Sequence, residues 1–242
     1  MSTEQLLQDE NDAEKGGITS DFMYNNNVAS SHIYIRMGFL RKVYGLLSVQ
    51  LLLTTVVAGV CAYSEVINSS LKDNPWVFLL CLPLSIVLII ALHIKRHEVP
   101  MNFFLLGAFT VVEAVTVGVV VSLYEVASVI KALVLTTAIV VSLTLYTLQS
   151  KRDFSKLGTG LMMGLIVIIG VGFMNLFFVS KGMELLISGA AAAVFSLFIV
   201  YDTHMMMEKL SAEEYILATI NLYLDIINLF LELLRIFGDR RN

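Results

Sequence analysis

Hydrophobic residues fill most of the chain in long runs that are separated by short polar connectors. Seven runs are each about 18 to 22 residues long, the length that an α-helix needs to cross a hydrocarbon core of about 30 Å. They cover residues 43–63, 76–94, 101–123, 128–148, 158–178, 184–201 and 215–237. The pattern predicts an all-α, polytopic membrane bundle of seven hydrophobic helices in contact with the lipid bilayer.

The composition also favours a membrane protein and leaves no room for a soluble domain. Of the 242 residues, 57% are hydrophobic and 15% are charged, whereas soluble domains are about half apolar and a quarter charged. Residues 1–38 are polar and lack the basic start and apolar core of a signal peptide. We predict a disordered tail over residues 1–38, because so little apolar surface cannot offset the entropy of ordering, and a transmembrane domain over residues 39–242.

Basic residues in the connectors predict the orientation. One side carries Arg36, Arg41, Lys42, Lys95, Arg96, Lys151, Arg152 and Lys156, whereas the other carries Lys72, Lys131 and Lys181. The positive-inside rule then places the N-terminus in the cytosol. Seven crossings would put Arg240 and Arg241 on the opposite side, against that rule, so the last run is either a seventh span or a re-entrant segment. Asn68 begins a glycosylation sequon on the non-cytosolic side, close to the membrane.

The last hydrophobic run carries a stripe of polar residues. Its members are Asn221, Asp225, Asn228, Glu232 and Arg235. Steps of four, three, four and three residues keep them within an arc of about 80° on a helix. Since this face cannot be left in contact with lipid, we predict that it points inward, toward protein or water.

The sharpest candidate for a functional group is Asp225, near the middle of that run, where a charge costs about 2.5 to 3.5 kcal/mol. Asp202 closes the preceding run, and the short connector makes the two helices neighbours. We therefore predict that the two carboxyls meet and share a proton near neutral pH. Calcium is the alternative occupant, because carboxylates with an amide oxygen such as that of Asn228 are hard ligands. Asn221 and Asn228 are predicted to line the pathway as neutral polar groups. The structural alternatives are a packing hydrogen bond for Asp225 and an exposed helix end for Asp202.

Other charged residues are secondary candidates. Glu113, Glu213 and Glu232 are interpreted as further cation contacts along an ion pathway, and Lys95, Arg96 and Arg235 as candidate counter-ions of the aspartate pair. The alternative for Glu113 is a purely structural role as the partner of a Lys or Tyr side chain. The alternative for Arg235 is that its side chain snorkels to the membrane interface.

The connector before the last run has a helix-start signal. Ser211 and Glu214 have the spacing of a capping box, which places Glu213 and Glu214 in the first turn of the last helix. The three methionines at 205–207 are predicted to lie in a loop at the membrane edge.

A catalytic alternative is an intramembrane aspartyl protease, since two aspartates on consecutive membrane helices can activate water. The pair Tyr201-Asp202 fits such enzymes. Their second aspartate, however, stands in a Gly-x-Gly-Asp setting, whereas Asp225 follows Leu222-Tyr223-Leu224, and no Pro-Ala-Leu comes after it. Motifs for a serine nucleophile, a zinc protease or a phosphate-binding loop are absent from the sequence. We therefore predict a protein that is not an enzyme, has no cofactor and binds no nucleic acid.

Three segments near the C-terminus resemble the Bax-inhibitor-motif family of membrane proteins. They are Tyr201-Asp202-Thr203-His204, Leu210-Ser211-Ala212-Glu213-Glu214-Tyr215, and Leu222-Tyr223-Leu224-Asp225-Ile226-Ile227-Asn228-Leu229-Phe230 with Leu233-Leu234-Arg235. The likeness covers residues 33–242. It implies six helices around a central seventh, in Golgi or endoplasmic reticulum membranes, with leakage of luminal calcium and suppression of apoptosis. A bacterial relative uses an aspartate pair as a pH-sensitive latch, and the matching residues are Asp202 and Asp225. The arginine that braces that latch corresponds to Lys95 or Arg96.

Two hypotheses follow from the residues and the resemblance. The first is a pH-sensitive calcium leak channel with Asp202 and Asp225 as its latch, for which calcium and protons are the permeant or regulatory ions. The second is a non-conducting membrane regulator that binds a calcium-release channel or an apoptosis regulator through small residues of the fifth and sixth runs, such as Gly164 and Ala192.

Overall fold

The computed structural model describes residues 28, 33–64, 66–67, 69–70, 74, 76–175, 177 and 181–239, and these residues form seven long α-helices. The helices are α1 (Ile33–Tyr63), α2 (Trp76–Lys95), α3 (Met101–Val121), α4 (Val126–Gln149), α5 (Leu157–Asn175), α6 (Lys181–Glu208) and α7 (Tyr215–Phe237). Six of them are long and apolar enough to span a membrane, and α2 contributes the shorter apolar stretch Leu79–Lys95. The predicted polytopic helical membrane bundle is confirmed.

The most polar of the predicted runs lies at the inside of the bundle. In α7, 67% of the most apolar 18-residue window is buried, against 6% in α5. Helix α7 packs against α1, α2, α3, α4 and α6, most extensively against α6. A helix that carries charged and amide side chains must be shielded from lipid, whereas a uniformly apolar helix such as α5 need not be. The stricter arrangement, with six helices encircling the seventh, stays a prediction.

The last helix is continuous and is long and apolar enough to cross a membrane, as the span alternative predicts. Its 23 residues extend about 34 Å, enough to cross a hydrocarbon core. Two hydrogen bonds tie the chain after α7 to the connector between α3 and α4: Glu125 N–H donates to the Asp239 carbonyl at 2.9 Å, and Asp239 N–H donates to Ser128 Oγ at 3.0 Å. The end of α7 therefore lies at the opposite end of the bundle from its start.

Two helices extend beyond their predicted limits. Helix α1 begins at Ile33, ten residues before the hydrophobic run predicted at 43–63. Helix α6 continues to Glu208 instead of ending near 201, and the methionines at 205–207 are helical rather than in a loop. These residues continue the helix because part of this last stretch still packs inside the bundle, where Met206 is fully buried.

Part of the predicted tail and one predicted modification site fall outside the described residues. Asn68 of the sequon is among them, as are Arg240 and Arg241. Within the predicted tail, Val28 is described: it is fully buried, and its N–H donates to the Leu210 carbonyl at 2.9 Å. This contact anchors the chain ahead of α1 to the connector between α6 and α7.

Candidate functional site

The carboxyls of Asp202 and Asp225 lie close enough to interact across the interface between α6 and α7. The Asn221 side chain also lies near Asp202. Asp225 is 7% exposed, and no donor among the described residues reaches its Oδ2 atom. Two carboxylates can only accept hydrogen bonds, so this contact is a bond only when one of them holds a proton. The geometry thus calls for a proton or a cation between the two groups.

The extension of α6 accounts for the position of Asp202. Because α6 continues past Asp202 to Glu208, the carboxyl is partly buried within the helix and is not at an exposed helix end. On α7, residues 221 and 225 are four positions apart and face the same side. The two helices therefore bring Asp202, Asn221 and Asp225 together in the interior of the bundle.

Two other residues of the polar stripe have local partners. The Asn228 side-chain amide donates to the Leu224 carbonyl of its own helix at 2.9 Å. Glu232 lies 3.2 Å from Nη1 of Arg235 and also lies close to Ser188 of α6. The interface between α6 and α7 thus carries polar groups from its middle toward the end of α7.

Glu113 belongs to another interface. Ser85 Oγ of α2 donates to its Oε1 at 2.5 Å. Helices α2 and α3 pack against each other there. The structure therefore places Glu113 at the interface between α2 and α3, whereas the aspartate pair lies between α6 and α7.

The three candidate counter-ions pair with glutamates. Nζ of Lys95 lies 2.7 Å from Glu98, and Nη2 of Arg96 lies 3.6 Å from Glu214. Arg235 contacts Glu232 in the same way. Among the described residues, none of these three bases forms an ion pair with Asp202 or Asp225. Lys95 and Arg96 lie at or just past the end of α2, beside the glutamates of the connectors.

The start of α7 differs from its predicted form. Glu214 Oε2 accepts a hydrogen bond from Ser211 N–H at 3.4 Å, which is one half of a capping box. The helix itself begins at Tyr215, so Glu213 and Glu214 lie in the preceding turn and not in the first helical turn. Glu213 is exposed there.

A second polar face of α7 was missed by the sequence analysis. The Tyr215 hydroxyl accepts a hydrogen bond from the Asn102 amide at 3.1 Å, and the Tyr223 hydroxyl lies 2.8 Å from Thr54 Oγ1. These contacts join α7 to α3 and α1. The signal was present in the spacing of Tyr215, Thr219 and Tyr223, which are four residues apart and share a face.

The described residues contain no group of three or more His, Cys, Asp or Glu side chains arranged to hold a metal ion. The aspartate pair therefore supplies two carboxylates with one neighbouring amide. Calcium prefers six to eight oxygen ligands, so most ligands of an ion at this position would be waters or carbonyls. Such an arrangement suits transient contact better than tight binding.

The fold and the aspartate pair define the class of protein. It is a polytopic helical membrane protein with two acidic side chains in contact between its last two helices. Residues 36–242 match the family described as "Inhibitor of apoptosis-promoting Bax1". The chain belongs to this Bax inhibitor family, and the predicted resemblance is confirmed.

Individual relatives match over most of their length. The chain is 47% identical to protein lifeguard 4 of Mus musculus over 213 residues, which cover 88% of this chain and 90% of the relative. It is 49% identical to the Golgi anti-apoptotic protein of Vaccinia virus (strain Lister) over 210 residues, or 87% and 89% of the two chains. It is 32% identical to Bax inhibitor 1 of Schizosaccharomyces pombe over 231 residues, which cover 95% of this chain and 87% of the relative. Residues 146–156 predict this likeness to lifeguard 4 and the Golgi anti-apoptotic protein, and the two matches confirm it.

Proposed function

We propose that the protein is a pH-sensitive calcium leak channel of Golgi and endoplasmic reticulum membranes, with its N-terminus in the cytosol. By lowering luminal calcium it would suppress apoptosis. The observation that carries the proposal is the contact between the carboxyls of Asp202 and Asp225 inside a membrane bundle. Membrane-buried acids with no basic partner are typical of ion and proton pathways.

The pair works as a latch because its occupant decides whether α6 and α7 are held together. One proton joins the two carboxyls by a hydrogen bond, and a calcium ion joins them by coordination. When both are absent, two buried carboxylates repel each other. Proton and calcium therefore compete for the same atoms, and pH controls the helix interface that the ion must pass.

Polar groups on the same interface support an ion pathway. Asn221 lies beside the pair, and Glu232 lies toward the end of α7, close to Ser188 of α6. These side chains give a cation oxygen contacts at successive depths. The assignment to Golgi and reticulum membranes and to cell-death suppression is supported by the relatives, one of which is named as a Golgi anti-apoptotic protein. The proposal assigns no catalytic step to the pair.

Calcium efflux from vesicles tests conduction by this chain alone. Vesicles loaded with calcium and a fluorescent indicator are compared with and without the purified protein at equal lipid concentration. The proposal predicts faster efflux in the protein-containing vesicles. Efflux no faster than from empty vesicles would remove the channel function.

A non-conducting regulator is the second candidate, and the lipid-facing surface of α5 favours it. Gly170 lies on this helix with open space around it, so an added side chain there would not disturb the bundle. A regulator that binds a channel or death-pathway protein through α5 would lose protection in Gly170→Leu but keep it in Asp225→Asn. The leak channel predicts the reverse in the same cell-death assay.

A further inference from the structure

A polar cavity of about 360 Å³ opens at one end of the bundle, where α4 and α6 end and α1 begins. Its floor is formed by Thr147, His204 and Met207, whose side chains are largely buried. Its rim carries four side chains with a permanent positive charge, from three separate segments of the chain: Arg36, Lys151, Arg152 and Lys209. The volume lies within the range of sites that bind small molecules, about 300 to 1,000 Å³.

The cavity has an excess of positive charge. Its four basic side chains face two acidic ones, Asp153 and Glu208, so its net charge is +2 with His204 neutral. None of the four bases forms an ion pair with a described residue. Within the described part of the chain, these four charges are therefore not neutralised by a paired acid.

Asp153 is already engaged and shapes the floor. Its Oδ1 atom accepts a hydrogen bond from Ser155 N–H at 2.9 Å and lies 3.1 Å from Nε2 of His204. Hydrogen bonds from Ser155 lower the pKa of Asp153 to about 2, so this side chain remains a carboxylate. It also contacts the imidazole of His204, and its negative charge is already included in the net charge of +2.

Helix dipoles explain only part of the charge pattern. A cation is stabilised near a helix C-terminus, which accounts for Lys151 after α4 and Lys209 after α6. Arg36 is in the first turn of α1, where the same dipole disfavours a cation. An anion bound among these bases would offset that cost.

The cavity lies among helix ends, the level at which a membrane presents its head groups. Basic pockets between membrane helices are suited to phosphorylated head groups, and Arg and Lys bind phosphate oxygens by charge-assisted hydrogen bonds. We propose that this cavity binds a phosphorylated polyol of the inositol phosphate type, carried either as a lipid head group or free in solution. The ligand would hold α1, α4 and α6 together at this end of the bundle.

The test is a binding titration of the purified full chain in detergent. One arm uses dioctanoyl phosphatidylinositol 4,5-bisphosphate and the other uses free inositol 1,4,5-trisphosphate, with native mass spectrometry and ligand-induced thermal stabilisation as readouts. The double variant Lys151→Ala/Arg152→Ala should weaken binding about thirtyfold, because each base near an anionic group contributes about a factor of five. The matched control is Arg41→Ala/Lys156→Ala, which removes the same charge from exposed positions at the same end, outside the cavity. It should change the affinity less than twofold.

Two results would overturn the proposal. One is no binding of either probe to the wild-type chain; the other is an equal loss of affinity in the two double variants, which would mean diffuse attraction to a basic surface. If both probes bind, the phosphorylated ring is sufficient for recognition. If only the lipid binds, the cavity recognises the membrane-borne form. Lys209→Ala, on a different segment, should weaken binding about fivefold and keeps the test valid if the double variant does not fold.

Discussion

Replacing Asp225 by asparagine is expected to uncouple calcium binding from pH. In the wild-type chain the contact between Asp202 and Asp225 holds either one proton or one calcium ion. If each bound calcium displaces one proton, the apparent Kd rises up to tenfold for each unit of falling pH, or about 1.4 kcal/mol. Asparagine fills the same volume and offers Asp202 a permanent N–H donor, so no proton is exchanged and the dependence on pH is lost.

Radioactive calcium binding to the purified chain at pH 6, 7 and 8 measures this slope directly. Glu125→Gln is the matched control, because it also removes one carboxylate but from an exposed position in the connector between α3 and α4. It should keep the wild-type slope. The reasoning is refuted if the wild-type Kd does not change with pH, or if Asp225→Asn keeps the wild-type slope.

Two further predictions concern packing. Tyr223→Phe removes the 2.8 Å contact with Thr54 Oγ1. The loss should cost about 1 kcal/mol of stability and lower the Tm by about 2 to 4 °C in a chain of this size. An unchanged Tm in detergent would show that this hydrogen bond does not stabilise the fold. Gly158→Ala places a Cβ atom 2.7 Å from the Tyr201 ring and should destabilise by about 1 to 3 kcal/mol. In the control Gly160→Ala the added Cβ atom meets open space, so this variant should be neutral or stabilising by helix propensity. Equal Tm changes in the two variants would contradict the close approach of Tyr201 to Gly158.

The bundle was predictable from the sequence because membrane spans are set by length and hydropathy. The last run was predicted at residues 215–237, and α7 covers Tyr215–Phe237. The inward orientation of Asp225 followed from the cost of exposing a carboxyl to lipid. Its proximity to Asp202 followed from the short connector, which makes consecutive helices neighbours.

Other features depend on contacts that hydropathy does not encode. Residues 202–208 contain charged and polar side chains, so the predicted hydrophobic run ends at 201. In the structure these residues remain helical because Met206 packs inside the bundle. The partners of Lys95 and Arg96 are glutamates in nearby connectors. Predicting which acid pairs with a given base requires three-dimensional distances between different segments. The spacing of residues along one helix does not supply these distances.

The most direct test of the central claim is calcium efflux from vesicles containing the wild-type chain or Asp225→Asn, followed from pH 5.5 to 8. If the carboxyl pair is the latch, efflux through the wild-type chain depends on pH, and Asp225→Asn gives a flat profile at a protein content matched by quantitative blotting. The same pH profile in both proteins, or a wild-type efflux that does not respond to pH, would contradict a latch formed by Asp202 and Asp225.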